Sequence, residues 1–285
     1  MSIAYQIGGY DVLHTLGKGA GSTLFEVCND AGEKFCLKRV VKSGPSDQRF
    51  LDQAIHEHEV ASSMDHPRLR RSYKLIRQRA LIRTSEVLVL MELVEGKTLE
   101  AFQADDIGVF CSIMMQGAEA LGAMHEAGYV HADIKPNNMM LDRDGGVKLI
   151  DFGQSCTIGT VKERIQGTPD YIAPEQVKRR AITPQTDVFN LGATMYWLLT
   201  GHYVPTMIPK KDQSGVKVSA SRPESPAPPI EHNASIPPAL STLVMDCIAT
   251  DPASRPGNMP QVFDRLEIAQ AQAARMEPVA PREAS

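Results

Sequence analysis

His131-Ala132-Asp133-Ile134-Lys135-Pro136-Asn137-Asn138 sets a carboxylate, an amine and an amide at positions i, i+2 and i+5. A carboxylate can accept a hydroxyl proton, a lysine can steady a transferring phosphoryl group, and an amide oxygen can bind a metal. Downstream stands Asp151-Phe152-Gly153, whose carboxylate can hold magnesium bridging phosphates, and then Ala173-Pro174-Glu175. Upstream, Leu16-Gly17-Lys18-Gly19-Ala20-Gly21-Ser22-Thr23-Leu24 carries glycines that let backbone N–H groups approach phosphate oxygens. Read alone, this stretch is equally a flexible hairpin loop. A dinucleotide site needs such a loop to open a helix, and here a β-hairpin follows. The P-loop pattern fails as well, because Gly96-Lys97-Thr98 has Met91 where the first glycine should stand. Phe35-Cys36-Leu37-Lys38 closes an apolar strand on a lysine. Glu57, 19 residues on in a predicted helix, can pair with that lysine and hold its ammonium against phosphates.

The residues around these motifs predict their setting. Tyr10–Leu16, Thr23–Cys28 and Lys34–Val41 read as strands, the last two joined by an Asn29-Asp30-Ala31-Gly32 turn. After a Gly44-Pro45 loop, residues 47–64 read as a helix with apolar Phe50, Ala54, Ile55, Ala61 and Met64, stopped by Asp65-His66-Pro67. Ser72–Ile76 and Val87–Val94 are strand-like, and Gly96 reads as a hinge between a β-rich and a helical part. Residues 107–127 predict a helix ending at Gly128. Short strands and loops fill 129–175. Further helices are predicted from about Asp187 to Leu199, over Pro238–Ala249 and over Met259–Ala274. Residues 205–238, rich in Pro and Ser, read as a long irregular insertion, and Glu277–Ser285 as a frayed tail.

Composition excludes several classes. The 285 residues carry 30 Lys+Arg against 34 Asp+Glu, a formal net charge of −4, which argues against a nucleic-acid binder driven by bulk positive charge. With 42% hydrophobic residues the chain can build a core. The longest aliphatic stretch, Val87–Val94, is interrupted by Glu92 and is too short to cross a bilayer. Met1–Tyr10 has no basic n-region and no long apolar h-region, so no signal peptide is expected. Five scattered cysteines (28, 36, 111, 156 and 247) fit neither a disulfide framework nor a zinc site and suit a reducing cytosol.

In order, spacing and predicted local structure, the motifs resemble those of eukaryotic-type (Hanks-type) serine/threonine protein kinases across residues 10–272, with a bacterial leaning. The resemblance implies an α+β, two-lobed protein-kinase fold. A small β-rich N-lobe with one key helix would cover about 10–94 and a larger, mainly helical C-lobe about 97–272, with ATP in the cleft. Residues 1–9 would be an extension and 273–285 a flexible tail. It implies that Asp133 orients the acceptor hydroxyl and takes its proton, that Lys135 stabilises the phosphoryl group, and that Lys38, held by Glu57, contacts the nonreacting phosphates. Asn138 and Asp151 would bind Mg²⁺, with Mn²⁺ as the alternative. Leu16, Gly17, Lys18, Gly19, Ala20 and Gly21 would cover the nucleotide. Leu24 and Cys36 would lie above the adenine and Met140 below it. Met91 would be the gatekeeper and Glu92 to Val94 the hinge. His131, Phe152, Gly153, Thr168, Glu175, Asp187 and Arg255 would support the site. Asp187 would brace the catalytic loop and Arg255 would pair with Glu175.

The sequence departs from the family pattern at three residues, and two further stretches stand out. Ser22 stands at the third glycine position, with Gly21 beside it. Cys36 replaces a small alanine, and packing accounts for it; Cys156 is the better candidate for a reactive thiol. Ala132 replaces the arginine that receives an activation-loop phosphate, so activity is expected not to depend strongly on that phosphorylation. Arg68, Arg70, Arg71, Lys74, Arg77, Arg79 and Arg83 form a basic run that reads as a solvated face, with a docking patch for an acidic partner as the sharper reading. The insertion, with Lys210, Lys211, Lys217 and Arg222, falls on a common docking surface of the family.

The expectation is therefore a cytoplasmic kinase acting on Ser/Thr of protein substrates, autophosphorylation included, with no nucleic-acid or membrane partner and no oligomeric state assigned. The alternative is a pseudokinase scaffold that binds ATP or partners without efficient transfer. The complete activation segment, Gly167-Thr168 and Ala173-Pro174-Glu175, argues against a small-molecule kinase.

Overall fold

The computed structural model describes residues 5–19, 21–80, 83–205, 208 and 225–276. Ala20, most of 205–224 with its four basic residues, the first four residues and the tail from Glu277 lie outside the described residues. The chain divides into two units. One takes residues up to Gly96 together with 148–155, the other takes 97–147 and everything from Cys156 onward.

The first unit is built on a six-stranded antiparallel sheet and one helix. Its strands are β1 (Gln6–Ile7), β2 (Tyr10–Gly19), β3 (Ser22–Cys28), β4 (Lys34–Val41), β5 (Ser72–Ala80) and β6 (Arg83–Glu92), in the order β1-β2-β3-β4-β6-β5. The run Val87-Leu88-Val89-Leu90-Met91 is buried on both faces of β6, which is why it is apolar without alternation. Val87, Val89 and Met91 share one face with Cys36 and Val40 of β4. Leu88 and Leu90 share the other with Leu37, Val27 and Ile7. Helix α1 (Gln48–Ser62) covers the first face with Leu51 and Ala54. Glu57 and Ala61 continue the same buried stripe, as helical spacing requires. Strand β5 outruns its apolar part. Arg77, Gln78 and Arg79 pair with Val87, Glu86 and Thr84 across the hairpin. β5 is a sheet edge, where charged side chains reach water while the backbone keeps its ladder.

The second unit is mainly helical. It comprises β7 (Gly96–Thr98, starting at the boundary), α2 (Ile107–Glu126), β8 (Tyr129–Val130), β9 (Met139–Asp142), β10 (Val147–Leu149, ending across the boundary), β11 (Cys156–Thr157), α3 (Pro174–Val177), α4 (Pro184–Thr200), α5 (Pro229–His232), α6 (Pro238–Cys247) and α7 (Met259–Ala273). α2 is long and apolar enough to cross a membrane by length and composition, which the search for aliphatic runs missed, but more than half of it is buried. It packs against α7 and α4, burying Phe110, Met114, Leu121 and Met124. α4 starts at Pro184, ahead of its predicted start at Asp187, because Pro suits the first helical position after Thr183. Gly192 lets α6 approach α4: a Cβ there would meet that of Cys247 at 2.5 Å. The expected irregular insertion ends earlier than its composition suggests. Tyr196 Oη donates to the Ala227 carbonyl, α5 follows, and Ile236 is buried.

Candidate active site

In the first unit the sheet register assembles one half of the chemistry. Lys38 lies on central β4, opposite Leu24 of β3 and Val89 of β6, on the face that meets α1. Its Nζ donates to Glu57 Oε2 at 2.5 Å. The carboxylate is 1% exposed. Burial pulls the Lys38 ammonium pKa down, but the charges of Glu57 and Asp151 outweigh that and hold it above its ordinary value. Asp151 adopts φ 120°, a region L-residues rarely enter, and its Oδ1 accepts from the Gly153 N–H at 3.1 Å. Phe152 beside it is buried.

The glycine stretch is a tight hairpin: Gly17 faces Leu24, Lys18 faces Thr23 and Gly19 faces Ser22. Gly21 takes φ +80°, and a Cβ on it would meet the Phe50 ring at 2.6 Å. The glycine is thus required at 21, whereas Ser22 already sits in β3 with ordinary strand pairing. Leu16 and Lys18 are exposed, Leu24 and Val94 half-buried, and Cys36 and Met91 buried as cross-strand partners. Met140 is half-buried on β9 of the second unit. Glu92 is tied down at three atoms. Lys148 Nζ reaches its Oε1 at 2.5 Å, the Arg71 N–H reaches its Oε2 at 3.1 Å, and its own N–H donates to the Arg71 carbonyl.

The second unit assembles its own cluster around Asp133. Thr168 donates to Asp133 Oδ1 twice, from its N–H at 2.9 Å and its hydroxyl at 2.8 Å. Lys135 Nζ donates to the same hydroxyl at 2.7 Å and to Asp133 Oδ2 at 3.0 Å. The pair therefore addresses one hydroxyl from both sides, the carboxylate accepting its hydrogen bond and the ammonium donating to its oxygen. Asn138 Nδ2 donates to the Asp133 carbonyl at 2.8 Å, which leaves the amide oxygen as the atom for a cation.

The loop carrying these residues is fixed from behind. Asp187, fully buried, accepts the N–H groups of His131 and Ala132 at 2.8 Å each and meets His125 Nε2 at 2.9 Å. Gln176 Nε2 donates to the Ala132 carbonyl at 2.8 Å. Ala132 itself takes φ 61° and packs with Val130, Cys156 and Ile182. Arg255 donates to both oxygens of Glu175 at 2.8 and 2.9 Å.

Two readings of the sequence change. Cys156 is 8% exposed and burial pushes its thiol up, against the pull of Lys162 and Thr160, so it is a packing residue rather than a reactive one. The basic run is not uniformly solvated. Arg71, Lys74, Arg77 and Arg79 are exposed, but Arg70 is buried and its Nη2 donates to Glu57 Oε1 at 3.0 Å. Arg70 was hidden among neighbours of its own kind, and no spacing rule in the sequence singles it out. Lys162, half-buried, was missed as well. Burial lowers its pKa, while Cys156, Asp133 and Asp187 oppose that shift.

Comparison with known proteins agrees with this geometry. The family described as "Protein kinase domain" matches residues 10–266. The chain is 28% identical to serine/threonine-protein kinase PrkC of Bacillus subtilis, over 90% of this chain and 40% of that protein. It is 24% identical to serine/threonine-protein kinase PknD of Chlamydia felis, over 90% of this chain and 30% of that protein. PknD of Chlamydia abortus is 26% identical over 86% of this chain and 29% of its own length. The chain thus spans less than half the length of these curated relatives.

Proposed function

This chain belongs to the protein kinase family, and from that premise we propose that it transfers the γ-phosphoryl group of ATP to serine and threonine hydroxyls of proteins, itself included. The observation that carries the reading is the hydroxyl of Thr168 held between Asp133 Oδ1 at 2.8 Å and Lys135 Nζ at 2.7 Å. An acceptor hydroxyl presented to the same two groups gives its proton to Asp133 as its oxygen bonds to phosphorus and the bond to the β-phosphate oxygen breaks. Lys135 offsets the charge on the transferring group. Lys38, oriented by Glu57, neutralises the nonreacting phosphates. The donor chemistry fits a hard cation. Asn138 offers an amide oxygen and Asp151 a carboxylate, and among the described residues no cluster of three or more His, Cys, Asp or Glu could hold a metal by itself. Mg²⁺, in this reading held by Asn138 and Asp151, would supply charge neutralisation on the phosphates.

We further propose that transfer does not require a phosphorylated activation segment. The support is that this segment is held without an arginine at 132. β11 pairs with β8, Val161 bridges to Ala181, and Thr168 and Gln176 bind the catalytic loop directly. Thr157 and Thr160 are already bonded to each other at 3.0 Å through their hydroxyls. The five thiols support a cytoplasmic setting.

The test is transfer of labelled phosphate from Mg-ATP to the protein itself and to a generic basic protein. Asp133→Asn is expected to reduce it by about 10²- to 10⁴-fold with nucleotide binding retained, and Asp151→Ala to abolish it. Sites mapped to serine and threonine support the specificity. Nucleotide binding with no transfer by the unaltered chain would sink the enzymatic reading in favour of a scaffold.

A further inference from the structure

We infer that Arg70 is a positioning residue for phosphoryl transfer: it locks Glu57, and with it α1, in the arrangement that presents Lys38 to the nucleotide, without any modification of the chain. The inference rests on the kinase reading above and on contacts that all fall within the first unit.

The two oxygens of Glu57 are divided between two cations. Oε2 takes Lys38 Nζ and Oε1 takes Arg70 Nη2 at 3.0 Å. The carboxylate is 1% exposed and the arginine 9%, so this is an interior contact and not a screened surface pair. A buried carboxylate without compensation is costly. Lys38 alone is a poor guarantor, because the ammonium must also serve phosphates. With Arg70 in place, Glu57 stays compensated and inward-facing while Lys38 shifts its bonds toward a nucleotide.

Arg70 is itself anchored. Its N–H donates to the Leu149 carbonyl at 3.0 Å, and the Leu149 N–H donates to the Arg68 carbonyl at 2.8 Å, around a parallel bridge between Leu69 and Leu149. Leu149 lies two residues before Asp151. One side chain therefore ties α1 to the backbone that carries Asp151. His56 of α1 makes a second tie, with Nε2 2.7 Å from the Ser155 carbonyl. Charge balance fits as well. Lys38 and Arg70 face Glu57, and Asp151 acts on Lys38.

Arg70→Met leaves Glu57 with Lys38 as its one remaining cation partner, so either role predicts some loss of stability, and the two roles part at turnover. A merely structural role therefore predicts an Arg70→Met chain with altered stability and unaltered turnover. A positioning role predicts lowered turnover of the folded chain as well.

The experiment measures kcat and acceptor KM for Arg70→Met, Arg70→Gln and Arg70→Lys, alone and combined with Glu57→Gln, together with amide hydrogen exchange of residues 48–62 in the nucleotide-free protein. Expected is a fall in kcat of about 10- to 100-fold in Arg70→Met. Acceptor KM should be unchanged, Arg70→Lys should recover most of the rate, exchange across α1 should rise, and less than about a twofold further loss should appear when Glu57 is already Gln. Arg70→Gln carries the same test should the Met variant fail to fold. Unchanged kcat and exchange in the neutral variants, or losses that multiply fully with that of Glu57→Gln, would overturn the role of Arg70. If the unaltered chain transfers nothing, the kinase reading falls, and hydrogen exchange alone decides Arg70: faster exchange of α1 in Arg70→Met upholds the positioning, and equal exchange removes it.

Discussion

Glu57 in the first unit and Glu175 in the second are both buried carboxylates facing an arginine, yet they are built for opposite purposes. Arg255 has five N–H donors. They reach both oxygens of Glu175 and the carbonyls of Ala249, Gln185 and Thr250, at 2.7 to 3.3 Å. Thr186 adds a hydroxyl donor to Oε1 at 2.9 Å, and the guanidinium lies 4.9 Å from the centre of the Phe189 ring. That network is closed, and nothing in it has to move. Glu57 instead gives one oxygen to Arg70 and the other to Lys38, whose side chain is still 15% exposed. An anchored cation holds the carboxylate, and the more reachable one is the group proposed to meet phosphates. Saturation makes a brace; division between two cations makes a presenter.

The comparison breaks most visibly with paired substitutions. Lys38→Met is expected to lower transfer by about 10²- to 10³-fold, the loss typical of removing one preorganised charge from a reacting centre, with a melting temperature near that of the unaltered chain. Arg255→Met should do the converse. It strands a buried carboxylate and costs about 3–5 kcal/mol of stability, read as a lowered denaturation midpoint, while any folded fraction keeps its turnover. Equal stability losses in the two variants would erase the distinction.

Alkaline unfolding sharpens it. Burial pushes the thiols of Cys111 and Cys247, both in the second unit, up from 9.0 to about 12. A folded thiol that stays neutral while the unfolded one ionises contributes stability that is full below pH 9 and lost as pH rises toward 12, about 1.4 kcal/mol per pH unit per thiol. The Lys38 pKa is raised, so its contribution persists to a higher pH. It is full below 10.5 and lost only as pH passes the folded value. Denaturation followed between pH 8 and 11 should show the decline beginning near pH 9, and Cys247→Ala should flatten it. The smallest expected effect is on the activation segment. Thr157→Ala and Thr160→Ala should each change transfer to an added protein by less than about twofold, since the first loses one exposed hydroxyl bond and the second that bond and its bond to the Thr157 carbonyl, also exposed. A collapse of activity in either would show that a phosphate at that position is needed after all.

Much of this could be read from the chain. Lys38 and Glu57 follow from an apolar strand ending on a lysine and a helix stripe on which Glu57 falls, and the register of β3, β4 and β6 supplies the meeting. Asp133, Lys135 and Asn138 are close in sequence, so their mutual contacts needed only a local turn. What resisted reading was long-range or hidden by context. Arg70 looked like its exposed neighbours because composition cannot tell which member of a basic run turns inward. Arg77 to Arg79 fell beyond the predicted strand Ser72–Ile76 because strand pairing at a sheet edge tolerates polar side chains that carry no strand pattern. α2 escaped a search for aliphatic runs because Met, Ala, Gly and Cys supply much of its buried surface.

By itself, then, the sequence determined the identities and order of the groups proposed to handle phosphate, the two kinds of secondary structure that carry them, and the alanine at 132. These are local properties: residue type, spacing and periodicity. Only the tertiary structure decided how each carboxylate is compensated: Glu57 by Lys38 and Arg70, Glu175 by Arg255, Asp187 by the backbone of the catalytic loop. A buried charge must find its partner wherever the fold brings one, and the distance along the chain, from 13 residues for Arg70 to 80 for Arg255, sets no limit on that choice.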